Sequence, residues 1–208
     1  MSDVSASELR LVADKAAIDA LIQGWMFRDI GQWDKLRTLF HPDGRMEASW
    51  FQGLFSDFVD ASMRMGASDL RTKHVMGTPI ISLTSDKAIA ETNAIIVCDN
   101  AALQLGCNAH GRFFDLIEKR DRNWKILKRH FFYDMSAFTF PNGPIEIDAD
   151  TAKRYPHEYA ALAYILEKSG FPVTRRLATR NSEAERAIRA AGQAWFDAPG
   201  NDASTTVR

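Results

Sequence analysis

The sequence predicts an α+β fold in which one antiparallel sheet is covered on one face by helices. Apolar residues recur at helical spacing over the first third of the 208-residue chain. From Arg71 to about residue 135 the chain is instead rich in β-branched and aromatic residues, and helical spacing returns after residue 156. Because a run of helices is followed by strands joined by short reversals, a single sheet packed against the early helices is the simplest arrangement.

The first predicted helix begins at a capping box formed by Ser5 and Glu8, in which each side chain accepts a hydrogen bond from the other residue's backbone. Apolar residues up to Trp25 then fall on one helix face, so the helix should run to about residues 27–29. Gly31 ends it.

Two shorter helices should follow, the first over residues 33–40. The sequence HPDG at 41–44 is typical of a turn, because proline fixes φ and Asp-Gly tolerates a tight reversal. Alternating apolar residues over 46–50 predict a strand, and Ser56 is placed to cap a helix that stops at Gly66.

Four strands with short connections are then predicted. They span residues 71–84, 88–99, 103–119 and 124–135. Asp86-Lys87 and the polar stretch at 120–123 are the expected turns, so the four strands should form an antiparallel meander.

Beyond the sheet, helical patterns predict two more helices, over residues 156–169 and 182–195. On this basis we divide the chain into a core domain at 1–140 and a helical extension at 141–208, docked on the core or on a neighbouring subunit. The last ten residues are small and polar, so we expect them to be disordered.

Composition and charge exclude several classes of protein. The chain is 46% hydrophobic with a net charge of −1, so it has no broad cationic surface for nucleic acid. No apolar run approaches the roughly 18–20 residues of a membrane span, and the first residues lack the pattern of a secretory signal. We therefore expect a cytoplasmic protein that binds neither nucleic acid nor membrane.

Motifs for metals, nucleotides and covalent nucleophiles are absent from the sequence. Cys98 and Cys107 lack CxxC spacing, and no His-x-x-x-His, glycine-rich phosphate loop or Gly-x-Ser-x-Gly elbow occurs. We expect neither a metal nor a cofactor, which leaves cofactor-free proton transfer as the accessible chemistry.

Asp29 and His74 are the residues best suited to such proton transfer. Asp29 lies at the end of the first helical region beside aromatic residues, and His74 lies early in the first long strand segment. Each also has an ordinary interpretation, as a helix-capping carboxylate and as a structural histidine. The residues are compatible with a carboxylate–imidazole dyad, but their spacing alone does not bring them together.

Several segments, together with the order of elements, resemble the SnoaL-like branch of the nuclear transport factor 2-like superfamily. These segments are RDIGQWDKL at 28–36, LFHPDG at 39–44, TKH at 72–74, AIAET at 88–92, GRFFD at 111–115 and WKI at 124–126. The resemblance covers residues 8–137. It implies a strongly curved sheet that wraps against helices as a cone and encloses a deep, mostly apolar pocket.

The resemblance also implies a catalytic pair. Enzymes of this group, among them scytalone dehydratase, hexachlorocyclohexane dehydrochlorinase and bile-acid 7α-dehydratase, use an aspartate and a histidine that face each other in the pocket. Asp29 matches the aspartate and His74 the histidine, so His74 would act as general base or acid and Asp29 would orient it. Some of these dehydratases carry a tyrosine close before the aspartate, where this chain has Gly24 and Arg28.

Other residues are expected to line the pocket. The candidate substrate-binding residues are Asn93, Asn108, His110, Tyr133, Trp25, Trp50 and Phe55. The asparagines have cross-strand or solvated positions as alternatives, and a shift of one residue in register would turn His110 to the other face.

These observations lead to the hypothesis of a cofactor-independent lyase. It would act on a bulky, largely apolar, hydroxylated and aromatic small molecule, and eliminate water or a small aldehyde such as formaldehyde. An isomerase in the same pocket and a non-catalytic small-molecule-binding protein remain alternatives. The resemblance further suggests a homo-oligomer, either a dimer or a trimer.

Overall fold

The computed structural model describes residues 4–199, which fold around a curved, unclosed seven-stranded sheet. The helices in this range are α1 (Ala6–Gln23), α2 (Met26–Asp29), α3 (Trp33–Arg37), α4 (Phe55–Gly66), α5 (Ala149–Lys153), α6 (Ala160–Lys168) and α7 (Glu183–Asp197). The strands are β1 (Phe40–Glu47), β2 (Gln52–Leu54), β3 (Leu70–Met76), β4 (Ile80–Leu83), β5 (Lys87–Asn100), β6 (Leu105–Arg120) and β7 (Asn123–Thr139). The predicted α+β class is confirmed.

The three longest strands form the body of the sheet, whose order is β2-β1-β7-β6-β5-β3. β4 also pairs with β5, beside the segment that β3 occupies. Neighbouring strands are antiparallel except β1 and β7, which run parallel. The predicted segment 71–84 is therefore two strands, and Pro79, which has no N–H to donate, lies between them.

The expected turn at 41–44 is wrong, because these residues lie inside β1. Phe40 pairs with Ile126 of β7 and Arg45 pairs with Lys128, so the residues between them form an irregularity in the strand rather than a reversal. By contrast, the expected turn at 120–123 is confirmed. Asp121 and Arg122 there both have positive φ, as a tight hairpin turn requires.

The helix starts agree with the sequence in part. At α1 the Ser5 N–H donates to Glu8 Oε2 over 2.8 Å and the Glu8 N–H donates to Ser5 Oγ, as the capping box predicts. This helix ends at Gln23, and α2 follows as a separate turn. Leu54 occupies the N-cap position of α4, so Ser56 does not cap that helix.

Side chains alternate between the two faces of the sheet, and each face has its own cover. Phe113 and Phe131 belong to the main core on the concave face, whereas Phe114 and Phe132 belong to a smaller cluster on the opposite face. α6 is buried in the main core, and α7 packs on the smaller cluster through Ile188 and Trp195. The chain after β7 thus covers both faces.

Two further sequence predictions concern the ends of the chain and membranes. The expected disorder of the last ten residues falls almost entirely on residues 200–208, which lie outside the described residues. Between residues 4 and 199, no helix combines the length and the apolar character that a membrane crossing demands.

Candidate active site

Asp29 and His74 are in direct contact at the concave face of the sheet. Asp29 is the last residue of α2, and His74 lies in the middle of β3 opposite Ile96 of β5. Asp29 Oδ2 accepts the backbone N–H of His74 over 2.6 Å, and Oδ1 lies 2.7 Å from His74 Nδ1. The two bonds fix both the position of the strand and the orientation of the imidazole ring.

This contact determines which ring nitrogen is available for chemistry. A carboxylate accepts hydrogen bonds, so Nδ1 carries the shared hydrogen and Nε2 keeps its lone pair in neutral imidazole. Within residues 4–199 no group forms a hydrogen bond with Nε2. The arrangement is that of a base whose tautomer is set by a carboxylate.

Burial keeps the His74 ring neutral. Its side chain is only 7% exposed, and the indole of Trp25 meets it edge-on at 5.7 Å between ring centres. Burial lowers the pKa of His74 below its ordinary 6.5, and the hydrogen bond and charge of Asp29 offset this only in part. At neutral pH the imidazole is therefore in the form that can accept a proton.

His74 faces an interior cavity between the concave face of the sheet and the helices. The cavity has a free volume of about 30 Å³ and mostly apolar walls. Its walls are Trp25, Arg28, Met46, Ala48, Ser49, Trp50, Phe58, Met65, Thr72, His74, Ile96, Cys98, Phe113, Phe131, Tyr133, Leu162 and Leu166. Because a water molecule needs at least about 10–15 Å³, this space admits one or two waters and no bulky substrate.

The C-terminal extension supplies one side of this cavity. Leu162 and Leu166 of α6 line it, and each is only 2% exposed. The wall they form is apolar, and its removal would enlarge the cavity directly above the sheet. The extension is thus part of the candidate site as well as of the core.

Four of the expected substrate-binding residues lie in or next to the cavity. Trp25, Trp50 and Tyr133 line it. Phe55 lies one layer behind, stacked on Phe40 at 3.5 Å between ring centres. Phe55 is therefore a residue of the core that supports the cavity wall.

The other three expected contacts do not reach the cavity. On β6 the inward positions belong to buried Cys107, Ala109 and Gly111, which turns Asn108 and His110 to the opposite face. Asn93 is exposed and lines a surface depression together with His110. The sequence predicts that side chains alternate between the two faces along a strand. It does not predict the register, which decides whether the odd-numbered or the even-numbered residues face inward.

Arg28 is a cavity residue that sequence reasoning did not select. It precedes Asp29 in α2 and is buried, with Nη1 donating to Thr72 Oγ1 over 2.6 Å and Nη2 lying 3.4 Å from Met65 Sδ. The sequence shows that Arg28 directly precedes Asp29. Its charge at that position was the one signal that could have identified it as a residue of the site.

A second buried arginine stands behind the aromatic wall. Arg129 forms two hydrogen bonds with Asp115, of 2.7 and 2.8 Å, and both side chains are fully buried. The guanidinium packs on the rings of both Trp25 and Phe113, at 4.6 and 4.4 Å from their centres. The pair holds Trp25 in place against the sheet.

No metal site accompanies these groups in the part of the chain that the structure describes, since no three His, Cys, Asp or Glu side chains there are grouped to hold an ion. Cys98 and Cys107 pair across β5 and β6 as free, buried thiols.

Solved structures of low sequence identity share this fold. A "Putative Scytalone Dehydratase" from Novosphingobium aromaticivorans superposes with a TM-score of 0.54 at 19% identity, over 65% of this chain and 97% of that one. A hexachlorocyclohexane dehydrochlorinase (LinA, type 2) superposes with a TM-score of 0.55 at 14% identity, over 68% and 99%. The protein thus has the fold of the nuclear transport factor 2-like superfamily.

The sequence comparisons identify the family within that superfamily. The profile of the SnoaL-like domain matches residues 10–130, more than half of the chain, and the protein belongs to this family. Pea pathogenicity protein 2 of Fusarium vanettenii is 26% identical over 163 residues, which are 74% of this chain and 70% of that protein. An uncharacterized protein of Emericella nidulans is 28% identical over 173 residues, 76% and 71% of the two chains.

Proposed function

We propose that the protein is a cofactor-independent lyase that uses His74 as its general base and Asp29 to orient it. The substrate is a bulky, largely apolar, hydroxylated aromatic molecule, and the group eliminated is water or a small aldehyde such as formaldehyde. The observation that carries this proposal is the short, two-point contact between the Asp29 carboxylate and His74 beside an apolar cavity.

The chemistry follows from the free Nε2 of His74. In loss of water, Nε2 takes a proton from carbon, the C–H electron pair forms a double bond, and the neighbouring hydroxyl leaves as water after it gains a proton. In loss of formaldehyde, Nε2 takes the proton of a primary hydroxyl. The oxygen then forms the aldehyde C=O while the carbon–carbon bond breaks. The electron pair of that bond forms a double bond by expelling a hydroxyl from the next carbon, and this hydroxyl leaves as water with the proton that Nε2 took.

Asp29 supports either step by stabilising the imidazolium that forms. The carboxylate is already within 2.7 Å of Nδ1, so little rearrangement is needed when the ring gains a charge. The names of the structural neighbours, a dehydratase and a dehydrochlorinase, agree with an elimination.

A bulky substrate requires the cavity to open, since its present volume is about 30 Å³. The α6 residues Leu162 and Leu166 form the wall that a ligand could displace without breaking a strand. We propose that substrate enters as α6 moves outward.

The test is incubation of the protein with hydroxylated aromatic and polycyclic compounds, followed by mass spectrometry. We expect a product lighter by water, or by formaldehyde together with water, with the wild type and none with His74→Gln. His157→Gln is the matched control, because His157 is exposed at the surface. A product of unchanged mass would indicate the isomerase instead. Binding without conversion would indicate a binding protein.

A further inference from the structure

In residues 4–199, half of the buried side-chain polar atoms that form no hydrogen bond belong to residues that line the cavity. Among the described residues, Trp25 Nε1, Arg28 Nε and Tyr133 Oη are buried and form no hydrogen bond, and all three residues line the cavity. The indole and guanidinium groups can only donate. Ser49 lies close to the Tyr133 hydroxyl, and burial raises the pKa of that hydroxyl, so it stays protonated.

Arg28 is the charged member of this set and lacks a full counter-charge. Its side chain is 6% exposed, and the nearest carboxylate oxygen, Asp29 Oδ1, is 3.6 Å from Nη1. Both oxygens of Asp29 already accept hydrogen bonds from His74. The hydroxyl of Thr72 and the thioether of Met65, which contact the two Nη atoms, are neutral.

The second buried arginine of the same protein has a carboxylate of its own as counter-charge. Arg129 is held by both oxygens of Asp115 and packs on two aromatic rings, although its Nη1 also forms no hydrogen bond. A buried cation is expensive unless it is paired in this way. Arg28 differs because its neighbouring carboxylate, Asp29, is 3.6 Å away and is shared with His74, and because a cavity adjoins it.

We infer that Arg28 binds an anionic oxygen of the substrate, either a carboxylate or a phenolate, inside this cavity. The inference rests on the proposed function and adds the substrate class, an aromatic anion. The neutral donors Trp25 Nε1 and Tyr133 Oη supply hydrogen bonds to the same oxygens. Arg28 is then a specificity-determining residue, positioned one residue before the aspartate that orients the base.

The test compares pairs of ligands of similar size and shape, one anionic and one neutral. Formate, acetate, benzoate and 2-naphthoate are titrated calorimetrically into the full chain beside their amides, and 4-nitrophenolate beside 4-nitroanisole. We expect the anion of at least one pair to bind about tenfold or more tightly than its neutral partner, which is the effect of one charge-assisted hydrogen bond. The carboxylate–amide pairs test for a carboxylate site, and the nitrophenolate–nitroanisole pair tests for a phenolate site.

Variants then assign the preference to Arg28. Arg28→Gln should lose it while the neutral ligand binds as before, Arg28→Lys should keep part of it, and Arg64→Gln, a change at an exposed position of α4, should keep all of it. Circular dichroism checks that each variant is folded.

The inference is overturned if no anion binds the wild type more tightly than its neutral partner, a result that needs no variant. It is also overturned if folded Arg28→Gln keeps the full preference. Because these measurements need no turnover, an anion preference in a protein that converts nothing would contradict the proposed function alone. Conversion of acids and amides at equal rates would contradict only the role of Arg28.

Discussion

Among single residues, the environment of His74 decides whether the proposed proton transfer can occur. The ring is buried against Trp25, which lowers its pKa, and it is bonded to Asp29, which partly restores it. A protonated ring cannot accept a proton, so the active form is present above the pKa and lost below it.

The pH dependence of kcat/KM should therefore have an acid limb with its midpoint below 6.5, the ordinary value for histidine. The same shift acts on stability. Since the unfolded chain binds the proton more readily, the contribution of neutral His74 is present above 6.5 and is lost as the pH falls towards the folded-state pKa. A rate profile over the acid range checks the first point, and an acid limb centred above 6.5 would contradict it.

Replacement of Asp29 by Asn should lower kcat by about 10²–10⁴-fold while the protein stays folded, because an amide no longer fixes the ring tautomer or stabilises the imidazolium. Asp34→Asn, a change at an exposed position of α3, is the matched control. Turnover by the Asp29→Asn variant within a few-fold of wild type would show that Asp29 has no part in orienting the base.

The sequence predicts some of these residues better than others. The contact between Asp29 and His74 followed from family resemblance, because 45 residues separate them and only the pairing of α2 with β3 brings them together. Asn93 and His110 were expected at the pocket, yet they lie on the other face of their strands. The polar type of a residue does not reveal which face of the sheet it occupies, because the register of the strand decides the face.

At the scale of elements, an ionic cluster fixes α7 on the outer face of the sheet. The buried carboxylate of Glu185 accepts hydrogen bonds from Arg112 of β6, from Arg189 one helical turn on, and from the backbone of Asn181. Arg112 in turn contacts Glu91 and Asp134, so three strands and the helix share one network.

Glu185→Gln should therefore destabilise the protein by about 1–3 kcal/mol, because two guanidinium groups lose their shared acceptor charge. Glu183→Gln changes an exposed residue of the same helical turn and should have little effect. Chemical denaturation of both variants measures the difference. Equal stability of the two would mean that the network contributes little to holding α7.

Some turns and helix starts can be predicted from local sequence patterns, and others cannot. The capping box at Ser5 and the hairpin turn at Asp121-Arg122 are local, and both were predictable. The segment at 41–44 has the residues of a turn, but its pairing with β7 on either side keeps it within β1. The short helix α5 has no strong pattern and was not predicted.

For the molecule as a whole, α6 and the sheet share one core. Tyr159, Leu162, Ile165 and Leu166 are at most 2% exposed and pack in the same cluster as the residues of the sheet. Helical spacing predicted α6 approximately, but where a helix docks depends on tertiary contacts that the sequence pattern does not contain.

A chain that stops after Phe140 should fail to unfold cooperatively. Each large apolar side chain removed from a core withdraws about 1.5–3 kcal/mol, and the total stability of a typical domain is about 5–15 kcal/mol. A chain that stops after Pro199 is the control and should melt like the full protein. A cooperative transition of the shorter chain near the wild-type temperature would instead support an independent domain at 1–140.

Assembly is a further property of the whole molecule, and the expected dimer or trimer stays a prediction. The apolar residues Val75 of β3, Ile80 of β4 and Met135 of β7 are at least half exposed, and a contact between subunits would cover such residues. Sedimentation measurements would give the number of subunits directly.

Nitrogen NMR of the His74 imidazole, assigned by comparison with His74→Gln, shows directly whether this ring can act as the base. At neutral pH we expect a neutral ring with the hydrogen on Nδ1 and a bare Nε2, and an imidazolium that forms with a midpoint below pH 6.5. A hydrogen on Nε2 in the neutral ring, or an imidazolium that persists at neutral pH, would contradict this expectation, since neither form has the free lone pair through which His74 acts.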